Sequence, residues 1–208
     1  MVPVLAPVSS EFNKQTHSGI YAGTVRRIVI VGCPGNGKST LARHLADELG
    51  LRHIELDGLF HVTDWESATT EEFRRDLVAA MDAAPEGWTT CGNYLTMSDS
   101  LHIARADTLV WLDLTRSTVV WRTAKRTIRR AVTRERLYGN EIREGWRNFT
   151  SWDPNRNIIR WAWIHHGISR EKFGPRLTSP EWAHLVVHHL TTPEQVAGFL
   201  AGALAEER

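Results

Sequence analysis

Apolar positions along the chain switch repeatedly between two periods. Arg26 to Gly32 reads RRIVIVG, a β-branched run ending in glycine, the pattern of a buried strand. A glycine-rich turn follows, and Leu41, Leu45 and Leu49 then recur four apart up to Gly50, which predicts an amphipathic helix closed by a glycine. The alternation continues with HIEL (53–56) as a second strand, a helix over 70–82, GWTTCG around a third strand, a helix near 99–105 and DTLVWLDL (107–114) as a fourth strand. A long helix is predicted over 117–136, then an irregular stretch, a Trp-rich helix over 157–168, a fifth strand at 183–190 and a last helix from Pro193. Strands alternating with helices predict an α/β fold in which a parallel sheet is covered on both faces, a three-layer sandwich.

A length of 208 residues suits one core carrying an insertion rather than two full domains. Residues 1–24 lack the strand and helix periods and read as a flexible tail, so the domain is placed at 25–208. The tail also lacks a basic leader followed by an apolar stretch, no apolar run approaches the ~20 residues of a membrane crossing, and the two cysteines, Cys33 and Cys91, fit a reducing compartment. A cytoplasmic location with no membrane partner is the expectation.

Between the first strand and the first helix, residues 32–39 spell Gly32-Cys33-Pro34-Gly35-Asn36-Gly37-Lys38-Ser39, a complete G-x-x-x-x-G-K-S phosphate-binding loop in its required context. Glycines let the backbone curl so that N–H groups of Gly35, Asn36, Gly37 and the residues up to Thr40 converge on a phosphate at a helix N-terminus. Lys38 would bridge the β- and γ-phosphates of ATP, and the Ser39 hydroxyl would hold Mg²⁺. Cys33 falls in a variable slot of the motif and reads as a small loop residue.

Asp57 ends the second strand, at the carboxyl edge of a parallel sheet, where ligands bind. It can orient or deprotonate an acceptor hydroxyl, help hold Mg²⁺ through water, or merely cap the following turn. Asn93 and Tyr94 follow the third strand and either line the acceptor pocket or form an ordinary turn. His53, His61 and the pairs His165-His166 and His188-His189 lack metal-ligand spacing and read as structural. Adjacent members of the last pair face opposite sides of a strand.

Charge adds one more feature. The net charge is +1, yet Arg116 to Arg136 holds seven Arg and one Lys against one Glu, so an anionic partner is expected there. Arg122, Arg126 and Arg129 share one sector of the helical wheel, with Val120, Ala124, Ile128 and Ala131 opposite as the expected packing face. Arginines so placed can clamp phosphates and neutralise charge during phosphoryl transfer. Nucleic acid, the other anionic candidate, needs a wider basic surface than one helix on a near-neutral chain.

These residues together resemble the bacterial adenylate-kinase-like P-loop kinases of the DNA topology modulation protein type, from about Arg26 to Leu200. The likeness rests on the phosphate loop, LeuAspGlyLeuPhe at 56–60 with Trp65, GlyAsnTyr at 92–94, TrpLeuAspLeu at 111–114 and TrpArg at 121–122, with ArgTrpAlaTrp at 160–163 and ThrThrProGluGlnVal at 191–196 as further marks. The resemblance implies five parallel strands in the order 2-3-1-4-5, a helical lid, and phosphoryl transfer from ATP. It also implies lid-hinge roles for Arg122 and Arg126 and contact of the Thr191–Pro193 loop, with Thr192 and Pro193, to adenine. The chain departs from that family at Cys91, where an Asp that helps hold Mg²⁺ is usual.

The reading is a Mg²⁺- and ATP-dependent phosphotransferase. Lys38, Asp57, Arg122 and Arg126 act as catalytic groups, and Asp57, Asn93, Tyr94 and Arg129 as acceptor contacts. The acceptor is a nucleotide or another small molecule. A nucleotide-binding regulator with weak catalysis, or a nucleic-acid-associated protein, is the alternative. Turn signals at Tyr138-Gly139-Asn140 and Trp152-Asp153-Pro154-Asn155 predict that about 129–157 forms the lid.

Overall fold

The computed structural model describes residues 25–63, 66–98, 100–133 and 157–205. The predicted tail and all but the edges of the predicted lid lie outside the described residues.

Five strands form one parallel sheet. In chain order they are β1 (Arg27–Gly32), β2 (Arg52–Glu55), β5 (Trp88–Cys91), β6 (Thr108–Leu112) and β7 (Val186–Leu190), and across the sheet they run β2-β5-β1-β6-β7. Counting those five strands alone, this is the expected order 2-3-1-4-5. Two very short strands, β3 (His61–Thr63) and β4 (Glu66–Ser67), pair antiparallel beside the sheet and were not foreseen.

Because side chains alternate along a strand, β1 sends Ile28 and Ile30 to one face and Val29 and Val31 to the other. The first face is covered by α1 (Lys38–Leu49) through Leu41, Ala42, Leu45 and Leu49, and by α7 (Pro193–Ala205) through Phe199 and Ala203. The second is covered by α3 (Thr70–Asp82) through Phe73, Leu77 and Met81, and by Ile103 of α4 (Leu101–Arg105). Burial on both faces explains why β1 and β6 read as near-continuous apolar runs. Helix α3 starts at a capping box: the Thr69 hydroxyl accepts from Glu72 N–H at 3.3 Å and the Glu72 carboxylate accepts from Thr69 N–H at 2.9 Å, an arrangement whose loss costs about 1 kcal/mol.

Three further helices shape the carboxyl edge of the sheet: the one-turn α2 (Leu56–Phe60), α5 (Arg116–Thr133) and α6 (Ile158–Phe173), the last five residues longer at its C-terminal end than expected. Helix α5 corrects the wheel. Its buried side chains are Val119, Thr123 and Thr127, whereas Val120 and Ala124 are only half-buried and Ile128 is 44% exposed. The packed face is rotated toward the arginines because α5 lies against the phosphate loop. A Cβ on Gly35 (φ +86°) would stand 2.1 Å from Thr123 Oγ1 and 2.8 Å from the Val119 carbonyl oxygen. Small side chains on the helix and none on the loop are what this approach allows.

Candidate active site

The phosphate loop joins β1 to α1 at the carboxyl edge. Helix α1 begins after Gly37 in the left-handed conformation (φ 91°), with no side chain capping it, so its first N–H groups keep the anion-binding role of a helix N-terminus. The loop is tied down from both neighbouring strands. Asn36 Nδ2 donates to the Leu112 carbonyl at the end of β6 (2.7 Å), and Asn93, just past β5, accepts from Gly32 N–H (3.3 Å) while donating to Gly32 O (2.9 Å). Asn93 therefore acts on the loop with its side-chain amide, a buttressing contact that its place in a turn did not reveal.

Lys38 folds onto its own loop, donating to the carbonyls of Gly32 (2.8 Å) and Cys33 (3.2 Å). Burial lowers its pKa and the charge of Asp57 opposes that shift, with Arg126 among the groups pushing it down. Lys38, Asp57 and Arg126 thus lie within one electrostatic neighbourhood. Arg122 joins them: its Nη1 is 3.8 Å from where a Cβ on Gly37 would be. Arg122 and Arg129 are exposed, Arg126 is half-buried, and Arg129 sits about two turns beyond Arg122 on α5. Ser39 and Thr40 stand in the first turn of α1, Ser39 half-buried and Thr40 exposed.

Asp57 is in the first turn of α2, directly after β2, and its Oδ1 accepts from the Tyr94 hydroxyl at 2.7 Å. Tyr94 is held by the rings of Phe60 and Phe73, with centroids 5.1 and 5.3 Å away. Lys172 of α6 reaches this region and donates to the Asn93 backbone carbonyl at 3.3 Å. Burial lowers the Lys172 pKa, and neighbouring Arg176 adds to the shift. Nothing in the spacing of the sequence linked Lys172 to Asn93, 79 positions earlier.

The loop after β7 is closed on itself. Gln195 Oε1 accepts from Thr191 N–H (2.7 Å), Thr191 Oγ1 (3.0 Å) and Thr192 N–H (3.2 Å), so Thr192 and Pro193 sit in a fixed turn at the same edge of the sheet with two backbone donors already engaged. Beside it, the 9%-exposed Asp113 side chain accepts both a two-pronged bond from Arg170 Nε (2.8 and 3.0 Å) and a contact from His189 Nε2 (3.1 Å). This joins α6 to β6 and β7. His189 stacks on Trp111 while His188 meets Phe199, so the pair does face opposite sides of the strand.

Cys91 ends β5, 2% exposed, with its Sγ 3.5 Å from Ser39 Oγ. Burial pushes its thiol up to about 11, and the same cause pushes Cys33 up to about 11, so both are protonated at neutral pH. Cys33 donates to the Ala162 carbonyl of α6 at 3.5 Å, which leaves the loop gripped by α6 as well as α5.

A parallel sheet with a glycine-rich loop feeding a helix N-terminus, a lysine inside the loop and a carboxylate just past the next strand defines a phosphate-binding α/β domain. Residues 23–135 match the AAA domain family, and the chain belongs to it. Curated relatives include the shikimate kinases of Mycobacterium bovis (strain BCG / Pasteur 1173P2) and Mycobacterium tuberculosis (strain ATCC 25177 / H37Ra), each 32% identical over 114 residues. Those matches cover 50% of this chain, and the chain spans 65% of the length of each relative. Solved structures that align with it include a shikimate kinase from Acinetobacter baumannii in complex with shikimate (TM-score 0.48, 16% identity, 88% of this chain and 96% of that one). A gluconokinase from Sinorhizobium meliloti 1021 also aligns (TM-score 0.47, 17% identity, 88% and 91%). No helix among the described residues is long and apolar enough to cross a membrane.

Proposed function

We propose that the chain is a small-molecule kinase that transfers the γ-phosphoryl group of ATP to a hydroxyl or phosphate of its acceptor. The observation that carries this reading is that Lys38 lies within electrostatic reach of both Arg126 and the Tyr94-bound carboxylate of Asp57, with Arg122 beside Gly37 of the same loop: a donor cradle and an acceptor-orienting group at one edge of one sheet.

The cradle fits a nucleotide. The N-terminus of α1 has no side-chain cap, Gly35 has no room for a side chain, and among the described residues Lys38 bonds to backbone carbonyls that a phosphate would replace as its partner. Ser39 is the residue that would hold the nucleotide's Mg²⁺, whose charge helps neutralise the phosphates, whereas Cys91 beside it offers sulfur where that ion takes oxygen. In this reading Lys38 and Arg122 bind the β- and γ-phosphates, with Arg126 adding positive charge where it develops in transfer. Asp57, fixed by Tyr94, orients the acceptor hydroxyl in line and accepts its proton. Lys172 adds a cation on the acceptor side, which favours an acceptor carrying negative charge. The shikimate kinase relatives support a small metabolite as acceptor, and the likeness to DNA topology modulation proteins supports a nucleotide. Thr192, Pro193 and Arg129 complete the proposed contacts, to adenine and to the acceptor respectively.

Cys91 favours a second reading, a nucleotide-binding regulator of low turnover, since a protonated thiol stands where the resembled kinases carry a metal-organising acid. Coupled ADP release over a panel of nucleoside monophosphates, shikimate and sugar acids separates the two. Acceptor-dependent ADP formation supports the kinase, and tight ADP binding without it supports the regulator.

A further inference from the structure

To reach a phosphate, the Lys38 ammonium has to leave the Gly32 and Cys33 carbonyls it binds here (2.8 and 3.2 Å). Both belong to buried residues: Gly32 is packed so closely that an added Cβ would collide with the Leu112 carbonyl oxygen, and Cys33 is 2% exposed. A buried carbonyl left without a donor penalises the state that leaves it so. Each of the two has a second donor. The Cys33 carbonyl also accepts from Asn36 N–H (3.2 Å), a bond internal to the loop. The Gly32 carbonyl also accepts from Asn93 Nδ2 (2.9 Å), a donor from outside it.

The sheet register explains why Asn93 stands there. Alternate carbonyls of β1 and the residue before it face β5 and accept in step: Arg26 O from Trp88 N–H (2.8 Å) and Ile30 O from Gly92 N–H (3.4 Å). Gly32 is the next to face that side, but Gly92 (φ +143°) turns the chain out of the strand. The Asn93 side chain takes the place of the missing backbone partner, its Oδ1 accepting from Gly32 N–H (3.3 Å) and its Nδ2 donating to Gly32 O. A primary amide offers that donor and acceptor on one carbon, whereas a carboxylate or an aliphatic side chain of the same size does not. The backbone of Asn93 is held in turn, its carbonyl accepting from Lys172 Nζ (3.3 Å).

We propose that Asn93 is a positioning residue of the phosphate loop: its amide keeps the Gly32 carbonyl bonded when Lys38 swings to a nucleotide phosphate, so that Asn93 sets phosphate affinity by acting through Lys38. The proposal rests on the nucleotide cradle of the reading above and not on phosphoryl transfer. With Asn93 in place, Lys38 gives up one of two bonds to the Gly32 oxygen. Without it, Lys38 is the one remaining donor to that oxygen among the described residues, and its departure leaves a buried carbonyl unpartnered in the nucleotide-bound state alone. The penalty therefore falls on binding rather than on folding. It vanishes when Lys38 is absent from the start, because the carbonyl then has the same partners before and after binding.

The test is a double-mutant cycle, read by calorimetric titration of ADP into the full chain at fixed Mg²⁺. Asn93→Ala should weaken ADP binding at least about tenfold in the wild-type background, and by less than about threefold when Lys38→Ala is already present. Asn93→Leu, which keeps the side-chain volume, should repeat both results, and urea unfolding without nucleotide checks that each variant folds. A merely structural role would weaken ADP by the same factor in both backgrounds. That equality, an ADP affinity untouched by Asn93→Ala, or failure of both Asn93 variants to fold overturns the proposal. The cradle is judged separately on the same titrations: ADP bound by the wild type and weakened by Lys38→Ala upholds it whatever the Asn93 variants do, and a wild-type chain that binds no ADP overturns both.

Discussion

The proposed donor half of the site is one continuous piece of chain, Gly32 to Ser39, which would bind mostly through backbone N–H groups, with Lys38 and Ser39 adding side chains. The proposed acceptor half is made of side chains from three separate segments, Asp57 after β2, Tyr94 after β5 and Lys172 on α6, with Tyr94 bonded to Asp57 and Lys172 to the Asn93 carbonyl. A backbone cradle tolerates exchange at its variable slots, such as Cys33, but fails if its lysine or its glycine geometry changes. A side-chain pocket loses function in increments and can change specificity one residue at a time. The same edge of the sheet can therefore keep one donor and vary its acceptor.

The largest effect expected falls on the donor half. Lys38→Ala should lower turnover at least about a thousandfold, roughly 4 kcal/mol of transition-state stabilisation, with an unchanged far-ultraviolet circular dichroism spectrum. Turnover within tenfold of wild type would remove the cradle from the chemistry. Next is the cradle's geometry. Gly35→Ala forces a methyl group into Thr123 Oγ1 and the Val119 carbonyl at φ +86°, and should cost about 3 kcal/mol in urea unfolding and weaken ADP binding together.

A change in neither half should show a different signature. His102 is fully buried, neither of its ring nitrogens has a hydrogen-bond partner among the described residues, and burial pushes its pKa down from 6.5 to about 4. The folded state disfavours the charged ring, so its stabilising effect is complete above pH 6.5 and is lost as pH falls toward 4. Summed over that window the loss is about 3 kcal/mol. Urea unfolding at pH 7 and pH 4.5 should show it, and His102→Leu should flatten the dependence. The smallest effect belongs to the acceptor half: Tyr94→Phe removes one hydrogen bond to Asp57, and should lower kcat/KM for the acceptor about tenfold while leaving the KM for ATP unchanged.

The phosphate loop was legible because every residue it needs is local and ordered by a strand before and a helix after. The sheet order followed from the resemblance, and the strand–helix alternation alone established that the sheet is parallel. Helix α5 was misread where the periodicity rule presumes that apolar residues mark the buried face. Here the buried face meets a glycine loop and carries Thr123 and Thr127, and Trp121, Ile128 and Val132 are left 70%, 44% and 66% exposed. Contacts such as Lys172 with Asn93, Asp113 with Arg170 and His189, and Cys91 with Ser39 and His53 join positions far apart in sequence. Lys172 and Arg170 belong to no motif, and only the packing of α6 on the sheet and the parallel register bring these positions together.

The central claim is that the donor cradle and the Asp57 carboxylate serve one reaction. The most direct measurement is mass spectrometry of acceptor-panel compounds after incubation with ATP and either the wild-type chain or Asp57→Asn. The account predicts that at least one acceptor gains a phosphoryl group with the wild type, and that Asp57→Asn forms at least about a hundredfold less of that product while binding ATP normally. Equal product from the variant, or ATP hydrolysed to ADP with no phosphorylated acceptor anywhere in the panel, would contradict it.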